Sequence, residues 1–329
     1  MLELWCRRPG KDVSEESAKK NGNRWLFSPQ ACVRLATLAV ICPVLGLFGK
    51  HHWFLDLFNH MQMQYFVFLL LLVVVLSFSK KPFHCAIAVA ALMLPTSRLA
   101  PLYSSSNTPS EGPALRAAAF NVLGSNERYD ETLAWTLESD PDLIYFSETG
   151  PKWTKALEAL KSRYPYKVGF PYKGNFGFCF FSKYPILEKQ VEFLGKLQLP
   201  LLEAVVDSPH GPITVFGAHP VPPVSGFWAN EQDIYLKDLT RRCQETESHA
   251  VILGDLNATR WSTQLDGILD DYDDSSIGQG YSATWMRKNW LVTIPIDHIF
   301  SRGFKGTIKR TTGPDLGSDH RPVMAELAW

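Results

Sequence analysis

Cysteine is scarce in this chain of 329 residues, with 6 in all. They stand at positions 6, 32, 42, 85, 179 and 243, and no pair has the spacing of a zinc site or a disulfide framework. Cys32, Cys42 and Cys85 sit inside apolar stretches. Cys179, within Phe178–Phe181, reads as a small buried hydrophobe. Net charge is absent too: Lys+Arg and Asp+Glu both number 33, for a formal +0. The balance is uneven, −5 from Ala114 to Trp329 and +5 before it. An acidic C-terminal part argues against tight nonspecific binding to long duplex DNA, which needs Lys and Arg to neutralise phosphates. It does not exclude a nuclease, because a bound metal adds positive charge locally. Internal repeats are missing as well.

Long apolar runs are plentiful before residue 103. They extend from about Val33 to Phe48, from about Tyr65 to Phe78 and from about Phe83 to Leu99. Spanning ~30 Å of hydrocarbon takes roughly 20 helical residues, so each run needs its flanks to cross a bilayer. Trp53 and Tyr65 suit the interface, and Arg34 can snorkel. Arg7, Arg8, Lys11, Lys19, Lys20 and Arg24 precede the first run. Lys80 and Lys81 separate the second from the third, and only Lys50 lies between the first and second. The positive-inside rule then predicts an integral membrane protein with its N-terminus and the Lys80–Lys81 turn in the cytoplasm. Residues 1–30 are the cytoplasmic segment, 31–103 three transmembrane helices, and 104–113 a linker of flexible composition. Residues 114–329 form a domain on the trans side, periplasmic or otherwise extracytoplasmic.

In that domain the spacing predicts strands over Leu115–Val122, Leu143–Ser147, Phe176–Ser182, Leu202–Val206, Ile213–Ala218, Val251–Gly254, Ile294–Phe300 and Arg321–Leu327. Helices are predicted over Glu127–Glu138, Lys152–Arg163 and Asn230–Glu247. Early β–α alternation followed by adjacent strands fits an α/β domain with two sheets between helices, although periodicity alone also fits one open sheet.

Polar motifs close these apolar runs: Phe120-Asn121-Val122, Ser147-Glu148-Thr149, Ala218-His219-Pro220, Gly254-Asp255-Leu256-Asn257, Asp297 after Ile294-Pro295-Ile296, and Gly317-Ser318-Asp319-His320. Ligand and catalytic groups in layered α/β folds gather at strand ends. Carboxylates, amides and imidazoles without Cys suit a hard metal and an oxygen-rich substrate, the mixture that phosphate ester hydrolysis needs. Each motif alone has a plainer reading. Asp-x-Asn after a strand is usually a turn or cap, Glu148 a solvated loop carboxylate, and His219 before Pro a loop residue. In this order together, the motifs resemble the endonuclease/exonuclease/phosphatase (DNase I-like) superfamily over about Leu115 to Trp329, in the manner of its membrane-anchored bacterial members.

The resemblance implies a four-layer α/β/β/α sandwich, here preceded by an N-terminal helical transmembrane region. It implies Glu148 as principal ligand of Mg²⁺ or Mn²⁺, with the Asn121 amide oxygen and the Asp319 carboxylate beside it. Asp255 would orient or deprotonate the attacking water. Asn257, two residues along the same extended segment, would point to the same side and donate to a phosphoryl oxygen. His320 would contact the scissile phosphate, paired with Asp297, and His219 would stabilise phosphate charge or help protonate the leaving group. Three residue sets fall outside these roles. His298 reads as structural, Trp285 is open between core packing and substrate contact, and Asp270–Asp274 reads as a solvated acidic turn rather than a calcium site.

Two features depart from the family pattern. Ser147 stands where many members have Gln. The loop Val221–Trp228 is Pro-rich and aromatic rather than basic, which weighs against nucleic acid and leaves lipid headgroups or small phosphodiesters open. The expected activity is a membrane-anchored, metal-dependent phosphoesterase that attacks a phosphodiester or phosphomonoester with water. A DNA or RNA nuclease and a catalytically silent membrane-tethered binding module are the alternatives. Beyond substrate and bilayer, no protein partner is inferable.

Overall fold

A computed structural model describes residues 29–78, 82–104, 112–172, 174–247, 249–285 and 290–329. The Lys80–Lys81 turn, nearly all of segment 1–30 and most of linker 104–113 lie outside them. The N-terminal region is helical: α1 (Pro29–Gly46), α2 (Trp53–Asp56), α3 (Gln62–Ser77) and α4 (Pro82–Leu99). Among the described residues, Pro82–Tyr103 is one helical stretch long and apolar enough to cross a membrane, with 22 residues and mean hydropathy 1.6. Trp53–Asn59 and Gln62–Ser77 qualify only as a pair, bent by 60°, and Thr37–Gly46 is shorter. By length and composition, then, one or two of the three expected spans are long enough.

Two six-stranded mixed sheets follow. The first has the order β11-β12-β1-β2-β4-β3, formed by β1 (Ala114–Asn121), β2 (Leu143–Ser147), β3 (Tyr166–Phe170), β4 (Phe178–Ser182), β11 (Gly306–Thr312) and β12 (Val323–Ala328). The second has the order β5-β6-β7-β8-β10-β9, formed by β5 (Ile186–Leu194), β6 (Leu199–Ser208), β7 (Gly211–Ala218), β8 (His249–Asp255), β9 (Asp273–Asp274) and β10 (Asp297–Arg302). Alternation along β1 sends Leu115, Ala117 and Ala119 between the sheets and Ala118 and Phe120 to the outer face. There they meet α5 (Tyr129–Ser139) and α6 (Pro151–Leu157) through Leu133, Trp153 and Leu157. On β8, Val251 and Leu253 face inward while Ala250 and Ile252 meet α7 (Gly226–Glu245) through Tyr235, Leu236 and Leu239. Strands buried on both faces read as unbroken apolar runs, which is why β1, β2, β4 and β8 are so plain in the sequence. The result is the expected four-layer α/β/β/α sandwich.

Helix boundaries shift for local reasons. Helix α7 begins at Gly226 because the Ser225 side chain caps it, accepting from the Trp228 N–H at 3.4 Å. The helix expected over Lys152–Arg163 is α6 followed by a 3-10 turn at Glu158–Ser162.

The site depends on strand direction. β1 and β2 run parallel, with Asn121 beside Ser147, and β7 and β8 run parallel, with Ala218 beside Gly254. β10 is antiparallel to β8 and β12 to β1, so Asp297 pairs with Asp255 and β12 begins beside the end of β1. Every motif therefore reaches one rim of the sandwich. The sheets approach so closely that a Cβ on Gly217 of β7 would lie 2.3 Å from the Tyr145 ring. Replacing Gly217 by Ala should cost about 1–3 kcal/mol through overpacking. Urea unfolding of the two proteins would measure it, and equal midpoints would contradict the close approach.

Candidate active site

Asn121, ending β1, donates from Nδ2 to Glu148 Oε1 and to Asp255 Oδ2, both at 3.0 Å. One amide thus ties the first sheet to the second. Its oxygen, the expected metal donor, accepts from the Leu123 N–H at 3.1 Å. Glu148 follows β2 with φ +59, a conformation unusual for a residue with a side chain, and Gly124 N–H reaches its Oε2 at 3.3 Å. A non-glycine residue held at positive φ is a strained point of the kind that clusters at functional sites.

Asp255 is 1% exposed. Its Oδ1 accepts from the Asn257 N–H at 2.9 Å, and its Oδ2 lies 3.5 Å from His219 Nε2 and 3.6 Å from His320 Nε2. Those two separations are ion contacts rather than hydrogen bonds. His320 Nδ1 meets Asp297 Oδ2 at 2.9 Å. Thr284 Oγ1 receives the Asp297 N–H, and Ser318 Oγ accepts from the His320 N–H while donating to the Asn121 carbonyl. The His219 N–H is received by the Tyr235 hydroxyl at 3.3 Å, and its ring packs 5.8 Å from Phe176.

Burial opposes charge on His320, yet the Asp297 and Asp255 carboxylates outweigh it and push its pKa up to about 10. Burial also raises the Asp255 pKa, but His320 and His219 hold it down at about 2. His219 is raised from its ordinary value: burial lowers it and Asp255 more than compensates. The rim is thus an ionised carboxylate between the His320 imidazolium and a His219 ring whose pKa it raises.

Donor atoms of Asp255, Asp297 and His320 all lie within 4.8 Å of one another, close enough to hold a metal ion. A metal ligand must be deprotonated, and His320 holds its proton strongly, so this trio suits proton and charge relay better than a cage. Beside Glu148 the Asn121 amide presents its Nδ2 and keeps its oxygen on the Leu123 N–H, so the carboxylate is the oxygen donor set there. Among the described residues, no Lys or Arg forms an ion pair with Glu148, Asp255, Asp297 or Asp319. That excess of carboxylate fits a hard divalent cation.

The expected residues do not all behave as the sequence suggests. Asn257 is not on an extended continuation of β8: its φ is +49 and its Nδ2 donates to the Pro220 carbonyl at 2.9 Å. The chain turns after Asp255, so the inferred common orientation fails, and of the two Asn257 amide N–H donors one is left for a ligand. Asp319 is half-buried with Oδ2 held by Trp285 Nε1 at 3.1 Å. Trp285 pairs through its backbone with Ile294 and His320, which makes it part of the site wall. His298 is structural, meeting the Ala258 carbonyl at 2.8 Å and stacking on Phe300. In the acidic run Asp274 is buried against Arg260 while Asp270, Asp271 and Asp273 are exposed. Gly124, Phe176, Tyr235 and Thr284 escaped sequence reasoning. Thr284 stands next to Trp285 and Gly124 three residues past Asn121, while Phe176 and Tyr235 lay within expected elements without a role.

A model of the Endonuclease/Exonuclease/phosphatase family matches residues 118–320. Truncated Caenorhabditis elegans TDP2 superposes with a TM-score of 0.57 at 14% identity, covering 67% of this chain and 99% of that one. D. rerio TDP2 complexed with single strand DNA product gives 0.57 at 16% identity, covering 66% and 100%. Sphingomyelinase C from Streptomyces griseocarneus gives 0.53 at 17% identity, covering 66% and 100%. At such identities the likeness concerns the fold. No curated protein matches the chain.

The ion pair at His320 makes a pH prediction. Its folded pKa exceeds the ordinary histidine value, so the stability it contributes is complete below pH ~6.5 and is lost as pH rises through about 10. In metal-free protein, the His320 ring protons should titrate by NMR near 10, and at least ~1 unit lower in Asp297→Asn. A wild-type midpoint at the ordinary value would show that the carboxylates do not hold the imidazolium.

Proposed function

The chain belongs to the endonuclease/exonuclease/phosphatase family, whose members are phosphoester hydrolases, nucleases and phosphodiesterases generally dependent on a divalent metal, and on that premise we propose that it is a membrane-anchored, Mg²⁺- or Mn²⁺-dependent phosphodiesterase. The observation that carries this reading is the convergence on one rim, from both sheets, of Asn121, Glu148, His219, Asp255 and the Asp297–His320 pair. Glu148 and Asn121 are the metal-binding corner. Asp319 is the third oxygen ligand of the reading, with one carboxylate oxygen already tied to Trp285. Bound there, the cation would polarise a phosphoryl oxygen and neutralise charge on the leaving oxygen.

The chain's own residues do the rest. Asp255 is ionised and a weak base, so it orients the attacking water and takes its proton as the new phosphorus–oxygen bond forms. His320, kept as imidazolium by Asp297, donates toward the phosphoryl oxygen that gains charge. His219, also biased toward the charged form, returns a proton to the leaving oxygen as its bond to phosphorus breaks. The remaining N–H of Asn257 adds a donor on the Pro220 side.

The substrate reading is a lipid or small phosphodiester. The loop after His219 exposes Val224 at 71% and Phe227 at 48%, and Trp53 of the N-terminal region lies 3.6 Å from where a Gly226 Cβ would be. The exposed apolar side chains of this segment thus stand beside the helical region, across a junction that is itself polar, lined by Lys50, His51, His52 and Asp233. We read that region as the membrane anchor. Leu71, Val75, Phe78 and Met93 are exposed on its helices, as lipid contact would require. The connection between the first and second apolar runs touches the C-terminal domain, which agrees with the charge-derived topology that puts both on the trans side. A C-terminal alkaline phosphatase fusion should then be active in a bacterial host, and an inactive one beside a fluorescent cytoplasmic fusion would reverse the topology.

The catalytic reading is tested on the full chain in detergent, with and without Mg²⁺. Bis-p-nitrophenyl phosphate, a short-chain sphingomyelin, a phosphatidyl lipid, a single-stranded oligonucleotide and a plasmid are offered in parallel. Asp255→Ala should lose at least ~10²-fold in turnover with its fold intact. Turnover confined to the nucleic acids would favour a nuclease. Wild-type turnover in Asp255→Ala would sink the residue assignment, and silence on every substrate would favour a binding module.

A further inference from the structure

We propose that the turn Asp56–His60 of the N-terminal region, together with Arg98, is a positioning element for the loop that carries Asp255 and Asn257; the proposal rests on the catalytic reading of that loop. Beyond Asp255 the chain runs irregularly to Thr263, and its polar groups are held from two directions. Up to Ala258 the partners belong to the sandwich. Leu256 N–H donates to the Ile296 carbonyl at 3.0 Å, Gln232 Nε2 donates to the carbonyls of Leu256 and Asn257 at 3.2 and 2.9 Å, and His298 meets the Ala258 carbonyl.

From Thr259 onward the partners come largely from the N-terminal region, the exception being Arg260, whose Nε donates to Asp274 Oδ2 of the sandwich at 2.6 Å. His60 Nδ1 accepts from the Thr259 N–H at 3.2 Å and lies 3.0 Å from the Thr259 hydroxyl. An Nδ1 that accepts a backbone N–H is unprotonated, so the ring is neutral with its proton on Nε2. Asp56 receives the Thr263 N–H at 2.9 Å, the Thr263 hydroxyl at 3.0 Å and the Ser262 hydroxyl at 2.6 Å. Arg98 Nη1 donates to the Trp261 carbonyl at 3.3 Å and to Asn59 Oδ1 at 3.1 Å, while Trp261 Nε1 donates to the Arg98 carbonyl at 3.0 Å. Asn59 closes the knot by donating to Asp56 Oδ1 and to the Gly46 carbonyl, each at 2.9 Å.

These groups are buried: Asp56 is 4% exposed, Asn59 0% and His60 7%. The approach is tight enough that a Cβ on Gly46 or Gly49 would lie 2.4 or 2.6 Å from Asn59 or Asp56. A tether that only held the domain near a membrane would need none of this. Apolar contact such as that of Leu99 and Leu102 with Trp261 would serve. A buried carboxylate that draws three donors from the loop, and an imidazole that fixes a backbone amide four residues past Asp255, specify where the loop lies. Reacting groups lose rate steeply when displaced by about 1 Å, so this is where support from outside the sandwich bears on turnover.

The test uses the full chain in detergent micelles, with bis-p-nitrophenyl phosphate and Mg²⁺ for turnover and hydrogen–deuterium exchange for the loop. His60→Ala should lower kcat about tenfold with KM within about twofold, because the loss lies in positioning rather than in binding. His60→Gln, which keeps an acceptor for the Thr259 N–H, should recover most of it. Exchange in residues 255–263 should rise in His60→Ala while the β8 core keeps its protection. Unchanged kcat with faster loop exchange would make the contact merely structural and overturn the proposal, as would unchanged exchange. If His60→Ala does not fold, Thr259→Val, which removes only the hydroxyl, carries the same comparison. If the wild type does not turn over the probe, the phosphodiesterase reading fails separately, and loop exchange alone decides whether His60 holds the loop.

Discussion

The Asp255 carboxylate is the group around which this molecule is arranged. A buried charge is costly unless it is met by donors and opposite charge. Here the answering groups come from different places: Asn121 from the first sheet, His219 from the end of β7, His320 from the approach to β12, and the Asn257 N–H from its own loop. No single strand could supply them. The compensation therefore fixes how the two sheets are stacked at that rim, and the strain at Glu148 and the inverted backbone at Gly254 are local consequences. At Gly254 the φ is +146 and a Cβ would lie 2.0 Å from the Ala218 carbonyl, so only glycine lets β8 pass that close to β7 before delivering Asp255.

Strands buried on both faces were legible because burial writes apolar residues at every position. The strands that sequence reading overlooked are β3, β5, β9 and β11, and they are the four sheet edges. An edge has a solvated side and is blunted with charge to discourage further pairing. Ile186–Leu194 carries Glu188, Lys189, Gln190 and Glu192, and Gly306–Thr312 carries Lys309 and Arg310, so neither shows an apolar run. The omission and the topology have one cause.

The site was legible in residue type and order, and less so in orientation. Asn121, Glu148, His219, Asp255, Asp297 and His320 meet because parallel strands end, and antiparallel strands begin, on the same rim. Asn257 misled because alternation holds only while the backbone stays extended, and at φ +49 it has already turned toward Pro220. Tyr235, Thr284 and Phe176 were invisible because their roles depend on long-range packing, which leaves no period in a sequence.

The same limit hid the relation between the N-terminal helices and the loop after Asp255. Composition marks 104–113 as a flexible linker, and the inference of an independent domain beyond it is natural. The contacts cross that boundary. Pro101 and Leu102 carbonyls receive the N–H groups of Gly278 and Gly280, and Gln64 donates to the Thr293 carbonyl. Together with Asp56, His60 and Arg98, these bonds connect the apolar helices to two loops, one leaving Asp255 and the other leading toward Asp297. A bilayer holding those helices would then hold the loops on either side of the carboxylate as well. If the helices are the anchor we propose, anchoring and the geometry of the rim are one mechanical problem, because the backbone framing the charged rim is fixed partly by residues that lie outside the sandwich.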